Sequence, residues 1–523
     1  MTLEVAANDT EASSSHDSPP VDARGRSNST ESSSTSNKAS VIDIKEDSIE
    51  TNVFEPYVAT QPYRMYKKRW VGVVAIVMLN IVTAMPLAWF GPIANNTADE
   101  FGFTLDEVNW LGNSCGVVYI VFSFPLPLLY AKYGIRKVGL AGAVLMLISA
   151  WIRYVGTISS LSNRSSYGLM LIGQILVGIA TPIYQVLVPS YSEKWFDLKS
   201  RTTATMIMSL SNPIGNAIGQ LISPLAGTPR QSVLVLAIIF TAVAPVALFV
   251  QSAPPTPPNR AMRADMFDHV AYTGAQKNPT YMSLGRAMLG REQPDAPTYM
   301  TFRQRVDFAI MILDFGVLVG TVNSFSLLSN QDLAPYGYSS VTAGLMGATL
   351  LLVGLVSAAI TSPLFDRVFT YYLARTCKAF IPFLAAAWLS LIWAVRPNNT
   401  GALYAIMAII GGSSLTLLPV AIELACELTR NAMASSAILW CSGNVFGVMM
   451  VLVEGALRAG PDASPPLNMK RALIFQGSIV CVAAAFAFLL QGKQTRREND
   501  EREMAAALDA AVAGESRIRT SDV

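Results

Sequence analysis

Charge is scarce in this chain. Of its 523 residues only 14% are charged, against about 25% in a soluble domain. Histidine is scarcer still: His16 and His269 are the two present, and both stand in polar stretches. No histidine is therefore placed within an apolar run to ligate a metal or haem or to relay a proton. The five cysteines, Cys115, Cys377, Cys426, Cys441 and Cys481, lie in or beside apolar runs with no CxxC pair, which indicates neither a disulfide framework nor a zinc site. Walker A, HExxH and GxSxG strings are missing, and no nucleophile with a paired base emerges. ATP hydrolysis and enzyme chemistry are not expected, nor is a metal or another cofactor. A net charge of +2 is scattered in short groups instead of forming one patch, so no nucleic-acid partner is expected.

What the chain has instead is apolar sequence. With 52% hydrophobic residues and a mean hydropathy of +0.39, it reads as a protein whose principal partner is the lipid bilayer. One stretch, 252–305, interrupts the pattern. It opens with APPTPP from Ala253 and carries Arg260, Arg263, Lys277, Arg286, Arg291, Arg303 and Arg305, a composition that does not sit in hydrocarbon. Apolar halves of similar length flank it.

A spanning helix needs about 20 apolar residues. The first half offers six candidates, 70–94, 108–131, 138–155, 167–189, 203–225 and 232–250, and the second offers 306–329, 342–365, 376–395, 403–424, 433–457 and 473–491. The fold class is accordingly an all-α membrane protein with twelve transmembrane helices in two six-helix bundles. The expected divisions are a disordered cytosolic tail over 1–68, a bundle over 69–251, a cytosolic connector over 252–305, a bundle over 306–491 and a cytosolic tail over 492–523. Residues 1–68 are rich in Ser, Thr, Asn, Asp and Glu and lack the apolar core of a signal peptide, so the first span is expected to stay in the protein. Basic residues gather in the short loops on the side of the termini, at Lys132, Arg136, Lys137, Lys194, Lys199, Arg201, Arg367, Arg375 and Lys378, which makes that side cytosolic. The sequons at Asn95, Asn163 and Asn398 all fall in loops on the opposite side, where glycosylation would occur.

The loop LYAKYGIRK (129–137) corresponds in position to PLFDRV (363–368) in the second half. In this loop the chain resembles the major facilitator superfamily, whose signature there is G-x-x-x-D-R/K-x-G-R/K-R/K. Lys132, Gly134, Arg136 and Lys137 fit it, while Ala131 replaces its aspartate and Pro127 its first glycine. Asp366 and Arg367 keep an acid and a base in the second half, as a gate or as ordinary juxtamembrane charges. Within that superfamily the chain is similar to the FLVCR-related family (solute carrier family 49), most of all to its third member type. The strings that carry this are EVNWL (107–111), AWIR (150–153), GQ (173–174), WF (195–196), SNPIG (211–215), SFS (324–326), TAG (342–344), FDR (365–367), ELACELT (423–429) and NVFG (444–447). The resemblance implies a carrier whose two bundles rock around a small organic solute; family members have been linked to choline, ethanolamine and haem. It also places Leu87 and Asn323 at the aromatic cage positions of the choline-handling members and Thr181 at a glutamine position, with Asn444 keeping its amide. A quaternary ammonium then lacks two of its aromatic walls, and Phe325 and Trp89 replace them only where the helices are irregular.

Polar groups inside spans are costly and so become candidate sites. Asn212 and Asn216 lie four apart on one helical face, either lining a solute path or joining helices, and Gly215 and Gly219 permit close helix approach. Trp440 and Asn444 share a face in the same way, and the indole faces either a cation or lipid. Asp314 and Glu423 are the intramembrane acids. Glu423 binds a cation, exchanges a proton or pairs with a loop arginine, and both acids charge and discharge if they face a cavity. Solute contacts are thus expected from Trp89, Asn212, Asn216, Asn323, Phe325, Trp440 and Asn444, and coupling or gating from Asp314, Glu423, Lys132, Arg136, Asp366 and Arg367. The favoured function is movement of a small organic solute by a monomer in the plasma membrane or an internal organelle. Export of an amphipathic natural product is the alternative, and a sensor that no longer transports is the reading from another class.

Overall fold

Thr104, Thr228 and Thr301 each precede a Glu or Gln by three residues, and each opens a helix with a capping box. The threonine hydroxyl accepts the N–H of Glu107, Gln231 or Gln304, whose side chain in turn accepts the threonine N–H. Two backbone donors at each helix start are thereby satisfied. The computed structural model describes residues 66–196, 198–254, 281–293, 299–364, 373–429 and 431–492, all of which fall in one unit, 62–523.

In the first half α1 (Lys68–Ala88) is followed by a short α2 (Ala94–Phe101), then α3 (Leu105–Ser123), α4 (Leu126–Val155), α5 (Asn163–Trp195), α6 (Leu198–Leu225) and α7 (Pro229–Val243), which tightens into a 3-10 turn over Ala244–Phe249. In the second half a short α8 (Tyr281–Met288) leads to α9 (Phe302–Leu333), α10 (Ser340–Leu364), α11 (Leu373–Ala394), α12 (Thr400–Thr429), α13 (Ala432–Ala456) and α14 (Lys470–Ala487). The spans read from the sequence match the twelve long helices, with differences at the ends. The first stops at Ala88, ahead of Gly91 and Pro92, and the third starts at Leu126, so that 129–137 is helical where a loop is expected. It is broken at Gly134, whose φ of 78° is one that side chains with a Cβ seldom adopt.

Two large apolar clusters form, one from α1 to α7 and one chiefly from α8 to α14. Leu284 and Ala287 of α8, and Met300, are buried in the second, so part of the connector packs on the C-terminal half where the sequence suggests a polar loop. Within the first half α1 and α6 touch closely: an added Cβ on Gly215 or Gly219 would run into the carbonyls of Ile81 and Met85. Small residues at such a contact let helices pack tightly where lipid offers no hydrophobic drive.

The halves meet along α3 with α13 and α6 with α10. Among the described residues, ten helices are long and apolar enough to cross a membrane by length and composition alone. The two long helices that fall short are α3 and α6. Both carry several polar residues: Asn109 of α3 and Gln220 of α6 bond to the opposite half, and Asn212 and Asn216 of α6 line the space between the halves.

Candidate functional site

Between the halves lies a cavity of about 800 Å3 walled by α6, α9, α10, α11, α12 and α13. A second lobe of about 490 Å3 reaches α1, α3 and α5. Asn212, Asn323 and Trp440 line both lobes, and so mark where they meet. On α9 the first lobe is lined from Met311 to Asn323, on α11 at Cys377 and Ile381, and on α12 from Ser414 to Ala421. These positions run from the middle of the bundle toward the end where α9 and α11 begin.

The opposite end is sealed by bonds between the halves. Arg458 donates to Asp106 at 2.9 Å, Gln331 Nε2 to Asn109 Oδ1 at 2.6 Å and Gln220 Nε2 to Ser326 Oγ at 3.3 Å. The Asn95 N–H also reaches Asn330 Oδ1 at 3.4 Å. The sequons stand at this sealed end, though not equivalently. Asn163 and Asn398 are exposed, Asn398 with a φ of 59°, whereas Asn95 lies on α2 with its Thr97 fully buried and donating to the Ile93 carbonyl.

Of the residues expected to contact solute, Asn212, Asn216, Asn323 and Trp440 line the first lobe, and Asn444 joins the second. Trp440 packs against Phe315 edge to face, the centroids 5.5 Å apart, and Asn444 Nδ2 donates to the Trp440 carbonyl at 2.9 Å. Leu87 and Thr181 also line the second lobe. Trp89 and Phe325 do not reach either lobe. Trp89 is wholly buried and its indole N–H donates to Ser232 Oγ of α7 at 2.9 Å. Phe325 points into the second half, edge to face with Trp388. Each lies two residues from a lining position, and two residues turn a helix by about 200°.

Asp314 lines the first lobe. It is 4% exposed, and neither carboxylate oxygen has a hydrogen-bond partner. Glu423 lines neither lobe: it is exposed, and it sits about 200° around α12 from the lining residue Ala421. Lys132 and Arg136 are exposed beside the Gly134 break, Lys132 over the Tyr133 ring and Arg136 with its N–H on Ser252 Oγ at 3.1 Å. Asp366 and Arg367 lie outside the described residues, as do 1–65, most of the connector and 493–523.

Sequence reasoning missed Cys115, Tyr119 and Gln185, which line the second lobe. The four-residue spacing of Cys115 and Tyr119 was the available signal. It also missed a buried network behind that lobe. Arg153, 1% exposed, donates to Gln174 Oε1 at 2.9 Å, and Gln174 Nε2 donates to the Pro86 carbonyl at 3.3 Å. Cys115 Sγ lies 3.6 Å from the same Gln174 oxygen, and the guanidinium stands 5.1 Å from the Phe240 ring centroid. The network joins α1, α3, α4 and α5 without a carboxylate, so its positive charge is held by amide, carbonyl and ring dipoles.

This arrangement has relatives. The chain is 27% identical over 449 residues to solute carrier family 49 member A3 of Xenopus tropicalis, covering 82% of this chain and 86% of that one. It is 24% identical over 409 residues to the choline/ethanolamine transporter flvcr2a of Danio rerio, covering 75% and 81%. Among solved structures, the nucleoside transporter NupG aligns with a TM-score of 0.57 at 11% identity over 80% of this chain and 99% of that one. A D-xylose-proton symporter aligns with a TM-score of 0.57 at 13% identity over 82% and 99%. The sequence profile of the Major Facilitator Superfamily matches residues 74–453, and the chain is a multi-pass membrane protein belonging to that superfamily.

Proposed function

We propose that this protein carries a small organic solute across a membrane by alternating access, with the two lobes as the solute's path. The observation that carries the reading is the asymmetry of the space between the halves: sealed at one end by the Arg458–Asp106 and Gln331–Asn109 contacts, and continued by a lined cavity toward the other. A carrier exchanging access between two sides needs such a seal to form and break without rebuilding either half. The choline/ethanolamine transporter relative supports a solute of modest size. Taken with the loop charges, the termini and the 252–305 connector are cytosolic, the sealed end is the outer one, and the cavity faces inward. The plasma membrane is the default location and an internal organelle the alternative.

Apolar walls at Leu318, Leu351 and Ile381 favour, as a second reading, export of an amphipathic natural product. Counterflow of labelled solute in liposomes holding the purified protein tests the carrier reading. Exchange above protein-free liposomes is the expected result, while saturable binding without exchange identifies a sensor. Substrate-stimulated efflux from intact cells separates export from uptake.

A further inference from the structure

We infer that Asp314 is the recognition group for a protonated primary or secondary amine whose apolar body fills the first lobe. The inference rests on that lobe being the solute's path. Asp314 projects from α9 into a wall that is otherwise aliphatic, aromatic or amide. A carboxylate removed from water is costly unless a cation or donors take its lone pairs. Here both oxygens are without a hydrogen-bond partner, the other titratable side chain lining the first lobe among the described residues is the Cys377 thiol, and no lysine or arginine among the described residues lines either lobe. The protein thus supplies an acceptor pair and leaves its complement to come from the cargo.

The geometry also selects among cations. Two vacant oxygens match an ammonium that carries N–H donors, which forms charge-assisted hydrogen bonds a fully methylated nitrogen cannot make. A quaternary ammonium instead needs aromatic faces around it. Phe315 and Trp440 are the rings lining this lobe among the described residues, and they pack edge to face on each other, which offers no enclosing set of faces. Leu318, Leu351, Ile381 and Leu415 take an apolar body, and the amides of Asn212 and Asn216 stand on α6 for a second polar group on the solute. Asn216 Oδ1 and Ser414 Oγ, both without partners, serve the same end.

The test uses the full chain purified in detergent and three matched series of increasing alkyl length: primary amines, their trimethylammonium counterparts and the corresponding alcohols. Thermal stabilisation reads binding, and counterflow in liposomes reads transport. Stabilisation by the amines above the other two series is expected, weakened about 10- to 100-fold in Asp314→Asn and retained in Asp314→Glu. The unliganded melting temperature of each variant shows that it folds. Equal response to alcohols or quaternary cations, no response to any amine, or amine binding unchanged in Asp314→Asn overturns the inference. Counterflow of a neutral or quaternary probe in that event leaves the carrier reading standing. Amine binding with no counterflow in any series does the reverse.

Discussion

At the scale of single residues, two positions along a helix separate a solute contact from a structural one. Asn323 lines both lobes while Phe325 packs on Trp388, and Leu87 lines the second lobe while Trp89 bonds Ser232. Trp89→Phe removes one buried hydrogen bond, so a loss of about 1 kcal/mol is expected in thermal unfolding, with the KM for exchange unchanged. Trp440→Ala takes away the ring shared by both lobes and its contact with Phe315. Solute affinity is expected to fall about tenfold, read from counterflow, with little change in the amount of protein reaching the membrane. Glu423 faces away from the cavity, so Glu423→Gln is expected to leave the exchange rate within about twofold of the parent; slowed exchange would return this acid to the mechanism. The amides at Asn212, Asn216 and Asn444 and the acid at Asp314 were legible as candidates because a polar group within an apolar run demands a reason. Glu423 met the same criterion, yet it is exposed and lines neither lobe. Composition cannot say which side of a helix turns toward the gap between the halves.

At the scale of elements, rigid halves and a breakable seam are built from different contacts. Inside the first half, Gln174 ties Arg153 to the Pro86 carbonyl, which lies in the last turn of α1 where carbonyls lack a partner within the helix. Gln174→Leu strands a buried guanidinium, and a destabilisation of about 1.5 to 3 kcal/mol is expected in thermal unfolding. An undiminished melting temperature would show that the network does not hold the half together. Across the seam the bonds are weaker. Asp106 is largely exposed; an exposed ion pair contributes about 0 to 1 kcal/mol, and a neutral amide bond about 0.5 to 1.5 kcal/mol. Removing Asp106 and Asn109 together is expected to shift the balance toward opening of the sealed end by about tenfold. Labelling of Ser326→Cys by an impermeant thiol reagent, above the background of the native cysteines, measures this. Labelling that does not rise would mean that the packing of α3 on α13 holds the seal without these side chains.

At the scale of the whole molecule, the number of spans sets which side of the membrane each terminus occupies. An even number of spans places both termini on one face, so tags near Met1 and Val523 are expected to be accessible from the same side of the membrane. Accessibility from opposite sides would remove the twelve-span reading. The three sequons are unequal in their surroundings, and a glycosyl acceptor must be reached by a large enzyme. Asn163 and Asn398, both exposed, are the expected acceptors. Replacing both with Gln is therefore expected to abolish the mobility shift seen on deglycosylation, and Asn95→Gln to change it little, since Thr97 is buried within α2.

The sequence by itself determined what depends on local composition and period. Runs of about 20 apolar residues make helices that satisfy their own backbone in lipid, threonine with a glutamate or glutamine three residues on makes their starts, and the order of recurring short strings indicates the superfamily. Tertiary structure alone decided what depends on how one helix is rotated against another. It brought Asn212, Asn323 and Trp440 to one place from three helices, turned Trp89, Phe325 and Glu423 away, buried Arg153 behind a glutamine, and left Asp314 as the acid in a wall of apolar and uncharged polar side chains. The physical reason is that hydrocarbon rewards an apolar surface in almost any orientation. Which few polar side chains escape it is fixed by close packing between helices distant in the chain, as where Gly215 and Gly219 let α6 lie against α1.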